Sequence, residues 1–197
     1  MASETELKYT PPCDFLADAM FESEYILPYR GEIRKIDMHT DYLDTPFGDA
    51  AKQGITLRRR FEDGVSVVYA KCGRKSDGEA LTVRGEWSVA SENISVAAEL
   101  LAAQGAPTES LRGLPLDICA SVSFIRYECE VAVYDGFSFM LSYDKGYFGG
   151  KVPFSEIELE LTNGTVSELV AFGRKLAEKF GLVPQPLSKY ARAMKEN

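Results

Sequence analysis

The sequence is poor in the residues that most often announce catalytic or metal chemistry. It holds one histidine, His39, and one tryptophan in 197 residues. His39 has no acidic or nucleophilic partner at a readable spacing, so no Ser/His/Asp set is legible and it reads as a surface strand residue. The four cysteines, Cys13, Cys72, Cys119 and Cys129, have no CxxC spacing. That argues against a thiolate metal site and a disulfide framework, and all four read as reduced thiols. No apolar run approaches the ~20 residues needed to span a bilayer. The first residues are acidic and polar, where a secretory signal would be basic and then apolar. A cytoplasmic protein without a membrane partner is expected, and the sequons at Asn93 and Asn163 read as chance matches. Gly149-Gly150-Lys151 lacks the strand–loop–helix setting of a phosphate loop and reads as a turn.

An excess of positive charge is missing too. Lys and Arg number 22 against 30 Asp and Glu, a formal net charge of −8. A field of that sign disfavours nucleic-acid duplexes and anionic membranes. Any anionic ligand must be held by a local basic site.

What remains is an ordinary globular composition, with no linker, repeat or low-complexity tract, and one α+β domain over 1–197 is expected. Strand patterns fall at 4–8, 32–44, 80–89, 118–134, 137–143 and 154–161. A hairpin joins 55–61 to 65–72 across Glu62-Asp63-Gly64, since Asp-Gly between two β-like runs is a strong hairpin signal. Residues 73–78 read as a polar loop, and turns are expected at 144–146 and 149–150. Helical spacing marks 13–22, with an irregular extension over 24–29, a single turn at 49–53, and 91–103. Residues 106–117 read as loop. The clearest helix is 165–180, with Val166, Leu169, Val170, Leu176 and Ala177 inward and Gly181 as its stop. Residues 188–194 form a short basic segment of one or two helical turns.

Successive strand side chains point to opposite faces. In Glu4-Thr5-Glu6-Leu7-Lys8, the three charges share one face. The same separation recurs: Arg58 and Arg60 with Thr56; Lys71 with Val67 and Tyr69; Arg84 with Glu86; Arg126 with Glu128 and Glu130; Glu156, Glu158 and Glu160 together. Periodicity alone fits the commoner arrangement, one solvated and one buried face. Against it stand the like charges placed in series along single strands, and a charged band that runs through six strands. A closed barrel turns such a band into a polar lumen. Clustered glutamates there call for a cation, and clustered Arg and Lys call for a polyanion, because unpaired charges away from bulk water are costly.

Taken in order, these residues resemble the CYTH family of triphosphate tunnel metalloenzymes. The resemblance spans nearly the whole chain. It rests on Glu4-x-Glu6-x-Lys8, Tyr42-Leu43-Asp44-Thr45-Pro46, Leu57-Arg58-x-Arg60, Lys71, Arg84-x-Glu86, Arg126, Asp144-x-Gly146, Glu156-x-Glu158-x-Glu160 and Ser188-Lys189-Tyr190-Ala191-Arg192. One departure is Phe124, where many relatives carry a lysine. The resemblance implies an eight-stranded antiparallel β-barrel, a tunnel with helices packed outside, that binds a triphosphate with Mg2+ or Mn2+. It assigns phosphate contacts to Lys8, Arg58, Arg60, Lys71, Arg84, Arg126, Lys189 and Arg192, and metal contacts to Glu4, Glu6, Glu156, Glu158 and Glu160. Lys8, Glu4 and Glu158 are the expected catalytic set. Glu86, Glu128 and Glu130 either orient basic residues or serve a second metal. The expected activity is metal-dependent hydrolysis of inorganic tripolyphosphate. The alternatives are an organic-triphosphate enzyme (thiamine triphosphatase, nucleoside triphosphatase or class IV adenylate cyclase) and a polyphosphate-binding module without turnover.

Overall fold

The computed structural model describes residues 2–76 and 80–196. Its strands are β1 (Ala2–Thr10), β2 (Arg34–Asp44), β3 (Thr56–Glu62), β4 (Val65–Ser76), β5 (Leu81–Ala90), β6 (Asp117–Tyr134), β7 (Phe137–Phe148), β8 (Val152–Asn163) and the two-residue β9 (Val183–Pro184). The helices are α1 (Asp14–Phe21), α2 (Asp49–Lys52), α3 (Ile94–Ala103), α4 (Val166–Phe180) and α5 (Lys189–Ala193), with one 3-10 turn at Glu109–Leu111. Eight strands follow the order β5-β4-β3-β2-β6-β7-β8-β1, and β1 pairs back onto β5. Each pairing is antiparallel. The expected eight-stranded barrel is the fold observed, with α1, α2, α3 and α4 packed outside and α5 seated against its interior.

Local chemistry sets the corners. Asp63 and Gly64, alone between β3 and β4, both have positive φ (47° and 87°), the backbone that a two-residue hairpin loop demands. At the start of α4 the Thr165 hydroxyl accepts from the Glu168 N–H, and the Glu168 carboxylate accepts from the Thr165 N–H. This capping box satisfies two donors that a helix start otherwise leaves open.

The apolar strand faces point outward and are covered. α4 lays Leu169 and Leu176 over Leu7, Tyr9 and Leu159. Gly173 permits that approach: a Cβ there would collide with Leu7 Cδ1 and lie 2.9 Å from the Tyr9 hydroxyl. On the other side Ala97, Ala98 and Leu101 of α3 cover Leu57, Val68, Ala70 and Trp87. Each fully buried leucine contributes roughly 1.5–3 kcal/mol. A third cluster lies inside the barrel, where Tyr190 and Ala193 of α5 meet Tyr42, Val122, Phe124 and Phe148. α5 therefore seats against an apolar zone of the interior and brings its basic residues to the edge of the charged one.

Several expectations are corrected. Residues 144–146 are not a turn: β7 continues through them to Phe148. Gly146 is needed there for close approach, because a Cβ would collide with the Ser123 carbonyl oxygen and with Phe124 on β6. β4 runs on to Ser76, with its register shifted between Cys72 and Lys75, where a loop from Gly73 is expected. Asp77 and Gly78 of that loop lie outside the described residues. Residues 24–29 form successive turns, not a helical extension, and the Ser23 hydroxyl donates to the Met20 carbonyl at the helix end. Val166 is 40% exposed, since it opens the first turn of α4 before the helix meets the barrel. No described helix is long and apolar enough to cross a membrane.

Candidate active site

The strand closure turns the charged rows inward. Glu4, Glu6 and Lys8 from β1, Arg58 and Arg60 from β3, Lys71 from β4, Arg84 from β5, Arg126 from β6, Glu158 and Glu160 from β8 and Lys189 from α5 line one cavity of about 380 Å³. Glu86 joins them. Burial is extensive: Lys8 is 2% exposed and Glu6 3%.

Two ion-pair networks organise this cavity. In the first, Glu4 accepts from Lys71 Nζ at 2.7 Å and from Arg84 Nε at 2.7 Å. Arg84 reaches Glu6 at 3.0 Å, and Lys71 reaches Glu86 at 2.6 Å. Burial pushes the Glu4 carboxyl up, but Lys71 and Arg84 outweigh it and hold the group well below the usual carboxylate range. Burial together with Arg58 and Arg84 pulls Lys71 down to about 8, against the attraction of Glu4 and Glu86.

The second network lies at α5. The oxygens of Asp144, Glu156 and Glu158 fall within 4.8 Å of one another, an arrangement able to hold a metal ion. A cation already stands there. Lys189 Nζ is 2.8 Å from both Asp144 and Glu158 and also pairs with Glu156. Arg126 forks onto Asp144, with Nε and Nη2 each at 2.7 Å, and touches Glu158 at 2.5 Å. Burial opposes ionisation of Asp144 and Glu158, yet Arg126 and Lys189 hold both below their ordinary values. Glu156 behaves oppositely: burial, and after it Glu158, push it up to about 7 despite Lys189 and Arg192.

The same cavity lining holds a solvent-exposed carboxylate, Glu160. Glu6 and Glu160 are direct partners across β1 and β8. Glu6 has Arg84 and, at 3.5 Å, Lys8. Among the described residues no basic group forms an ion pair with Glu160. Glu160 itself is exposed to solvent, yet partial desolvation, then Glu4, Glu6 and Glu158, pushes its carboxyl up to about 7 against the pull of Lys71. Like charges directly opposite on a sheet are destabilising.

Not every predicted site residue reaches the cavity. Glu156 is fully buried behind it and is gripped by Arg192, which sits one turn beyond Lys189. Glu128 is buried against Arg34 and lies 3.9 Å from Arg126, whereas Glu130 is exposed. Asp144 is the residue that sequence reasoning missed, because the Asp-x-Gly spelling suggested a turn. Its signal was present: Ser142, Asp144 and Gly146 alternate in phase with a strand. His39 is the surface strand residue expected, though it is not without partners. It bonds Asp41 Oδ1 at 3.0 Å and Ser123 Oγ at 2.8 Å on the outer face, where Asp41 also receives Arg59 and Ser121. The His39–Ser123 pair comes from the register between β2 and β6, which the sequence does not display.

Comparison with known proteins agrees with this architecture. The CYTH domain family model matches residues 2–194. No curated protein sequence matches the chain. Among solved structures, HpAC1 of Hippeastrum, an adenylyl cyclase candidate with a dominant triphosphatase activity, superposes with a TM-score of 0.72 at 18% identity, covering 98% of this chain and 96% of that one. An adenylate cyclase candidate from Bacillus halodurans gives 0.59 at 16% identity, covering 96% of each chain. The RNA triphosphatase domain of the mimivirus mRNA capping enzyme gives 0.53 at 12% identity, covering 91% of this chain and 89% of that one.

Proposed function

The chain belongs to the CYTH domain family, and from that membership and the charge arrangement of its lumen we propose that it is a metal-dependent triphosphatase acting on inorganic tripolyphosphate. The observation that carries the proposal is the pairing of two opposite needs in one cavity. Basic residues from β1, β3, β4, β5, β6 and α5 suit a chain of phosphates, and the glutamates Glu4, Glu6, Glu158 and Glu160 in the same lining suit a divalent cation, which takes carboxylate oxygens.

On this reading Arg58, Arg60, Lys8, Lys71, Arg84, Arg126 and Lys189 bind phosphate oxygens. Guanidinium forks do so in bidentate fashion and lysines as point charges. Glu4, Glu6, Glu158 and Glu160 would hold Mg2+ or Mn2+. Glu156 and Arg192, named by the resemblance for metal and phosphate, instead secure α5, since each is taken by the other behind the cavity wall. Such a cation would neutralise phosphoryl charge and supply an activated water for attack on the terminal phosphorus. The protein's own part is positioning. Lys71, Arg84, Arg126 and Lys189 are held by carboxylates and exchange them for phosphate oxygens with little movement.

The preference for an inorganic substrate rests on the aromatic residues of the lumen. Tyr42 and Tyr190 pack on each other with ring centroids 5.2 Å apart, and Tyr69 lies under the Arg58 guanidinium. Both arrangements engage rings that could otherwise stack on a base or thiazole. The reading also places the reaction in the cytoplasm, in keeping with cysteines that form no disulfide among the described residues. Phosphate release from tripolyphosphate, ATP and thiamine triphosphate, each with Mg2+, Mn2+ or EDTA, tests it. Metal-dependent release that is fastest from tripolyphosphate is expected. Release of pyrophosphate with a cyclic nucleotide would show a cyclase, and binding without release would show a non-catalytic module.

A further inference from the structure

The lumen's cations are not equally occupied. Lys71, Arg84, Arg126 and Lys189 each have a carboxylate oxygen at 2.8 Å or less. Among the described residues Arg58 and Arg60 do not, and Lys8 comes only within 3.5 Å of Glu6. Arg58 comes no nearer than 3.9 Å to Glu86, and Arg60 no nearer than 3.8 Å to Glu62. Both residues are buried, and Arg58 Nε is enclosed without a hydrogen-bond partner. Two buried guanidiniums on one strand face repel each other and require something other than carboxylate to fix them. Burial, then Arg58 and Arg126, lowers Arg60 to about 10.

What fixes them is a ring. Tyr69 is the direct cross-strand partner of Arg58 on β4. The Arg58 Cζ lies 4.7 Å from the Tyr69 ring centroid and the Arg60 Cζ 5.8 Å from it, within cation–π range. Phe124 approaches Arg60 from the other side at 5.9 Å, and Thr40 Oγ1 accepts from Arg60 Nε at 3.3 Å. A ring face orients a guanidinium without taking its N–H donors, so the donors stay available to an anion. A carboxylate would orient it and consume them.

We propose that Tyr69 is a positioning residue that holds Arg58 and Arg60 as a preformed landing pair for the triphosphate, free of close carboxylate contacts among the described residues. The inference rests on the triphosphatase reading and adds an order to binding. Arg58 and Arg60 accept phosphate by giving up only ion pairs of 3.8–3.9 Å, whereas Lys71, Arg84, Arg126 and Lys189 must first leave carboxylates held at 2.8 Å or less. Tyr69 thus acts on capture and not on the chemical step.

The test compares wild type, Tyr69→Phe and Tyr69→Leu. Tripolyphosphate binding is measured calorimetrically in EDTA, and KM and kcat are measured with Mg2+. Tyr69→Phe keeps the ring and is expected to stay within about twofold of wild type in Kd and KM. Tyr69→Leu is expected to raise both by about 5- to 30-fold, the worth of a desolvated cation–π contact, with kcat within about threefold. Wild-type affinity in Tyr69→Leu, or a fall in kcat at unchanged KM, overturns the proposal. So does equal loss in Tyr69→Phe and Tyr69→Leu, which would assign the role to the hydroxyl. If wild type neither binds nor hydrolyses any triphosphate, the triphosphatase reading itself fails, an outcome distinct from these.

Discussion

Glu6 and Glu160 face each other as direct partners on β1 and β8, both lining the same cavity, and only Glu6 has basic neighbours in ion-pair range among the described residues. Among the described residues Glu160, which is exposed to solvent, thus has no ion-pair partner, and the attraction of Lys71 does not offset Glu4, Glu6 and Glu158.

That asymmetry has a pH signature. Glu160 is raised from 4.5 to about 7, so the folded state holds its proton more tightly than the unfolded chain does. Its contribution to stability is intact below about pH 4.5 and is lost as pH rises through 7. Glu160→Gln is expected to raise Tm at pH 8 in metal-free buffer and to leave it unchanged at pH 4. With lumenal solvent discounting the effect to on the order of 1 kcal/mol, the gain is roughly 2–4 °C. Equal shifts at both pH values would show that Glu160 is not strained.

Removing a carboxylate from the proposed cation set separates chemistry from capture. Glu4→Gln and Glu158→Gln are each expected to lower kcat by on the order of 100-fold or more, the scale of losing one preorganised electrostatic group. Tripolyphosphate binding should persist, since the basic residues remain. Rates unchanged in both variants would remove these residues from the metal site.

Arg58→Ala is expected to do the opposite. Loss of a charge-assisted hydrogen bond, about 1.5–3 kcal/mol, corresponds to a roughly 10- to 100-fold weaker Kd. Arg58→Lys should recover only part of the affinity, because an ammonium lacks the fork. Titration calorimetry with tripolyphosphate reads both.

Lys189 fills a cage of three carboxylates, so its removal is a stability experiment before it is a functional one. Lys189→Met leaves Asp144, Glu156 and Glu158 facing one another. Breaking a buried network from one side costs about 3–5 kcal/mol. Urea denaturation should show a lowered midpoint of that size, and an unchanged midpoint would show that α5 is not secured through this residue.

Gly146→Ala tests the close approach of β7 to β6. The new methyl meets the Ser123 carbonyl and Phe124, both in the barrel wall. Overpacking of this kind costs about 1–3 kcal/mol, which thermal melting reads at roughly 2–4 °C per kcal/mol.

The alternation of charged and apolar residues was legible without coordinates because side-chain direction along a strand is a property of the local backbone. Glu4-Thr5-Glu6-Leu7-Lys8 separates its faces whatever it pairs with, and so do Arg58 and Arg60 or Glu156, Glu158 and Glu160. Even so, a row is not a site. Glu156 shares its row with Glu158 and Glu160 yet sits behind the cavity wall with Arg192, because α5 covers that end of the barrel. Asp144 was masked by the turn-like glycine two residues on, whose reason lies in another strand.

The sequence by itself therefore determined which residues share a strand face and which face is charged, since that follows from two-residue periodicity within one segment. Only the tertiary structure decided that the charged face points inward, that Lys189 occupies the Asp144–Glu156–Glu158 cage, and that Glu160 lies directly opposite Glu6. Those outcomes depend on pairing register and on closure of β1 onto β5. Both are contacts between residues far apart in the chain, and local periodicity carries no record of them.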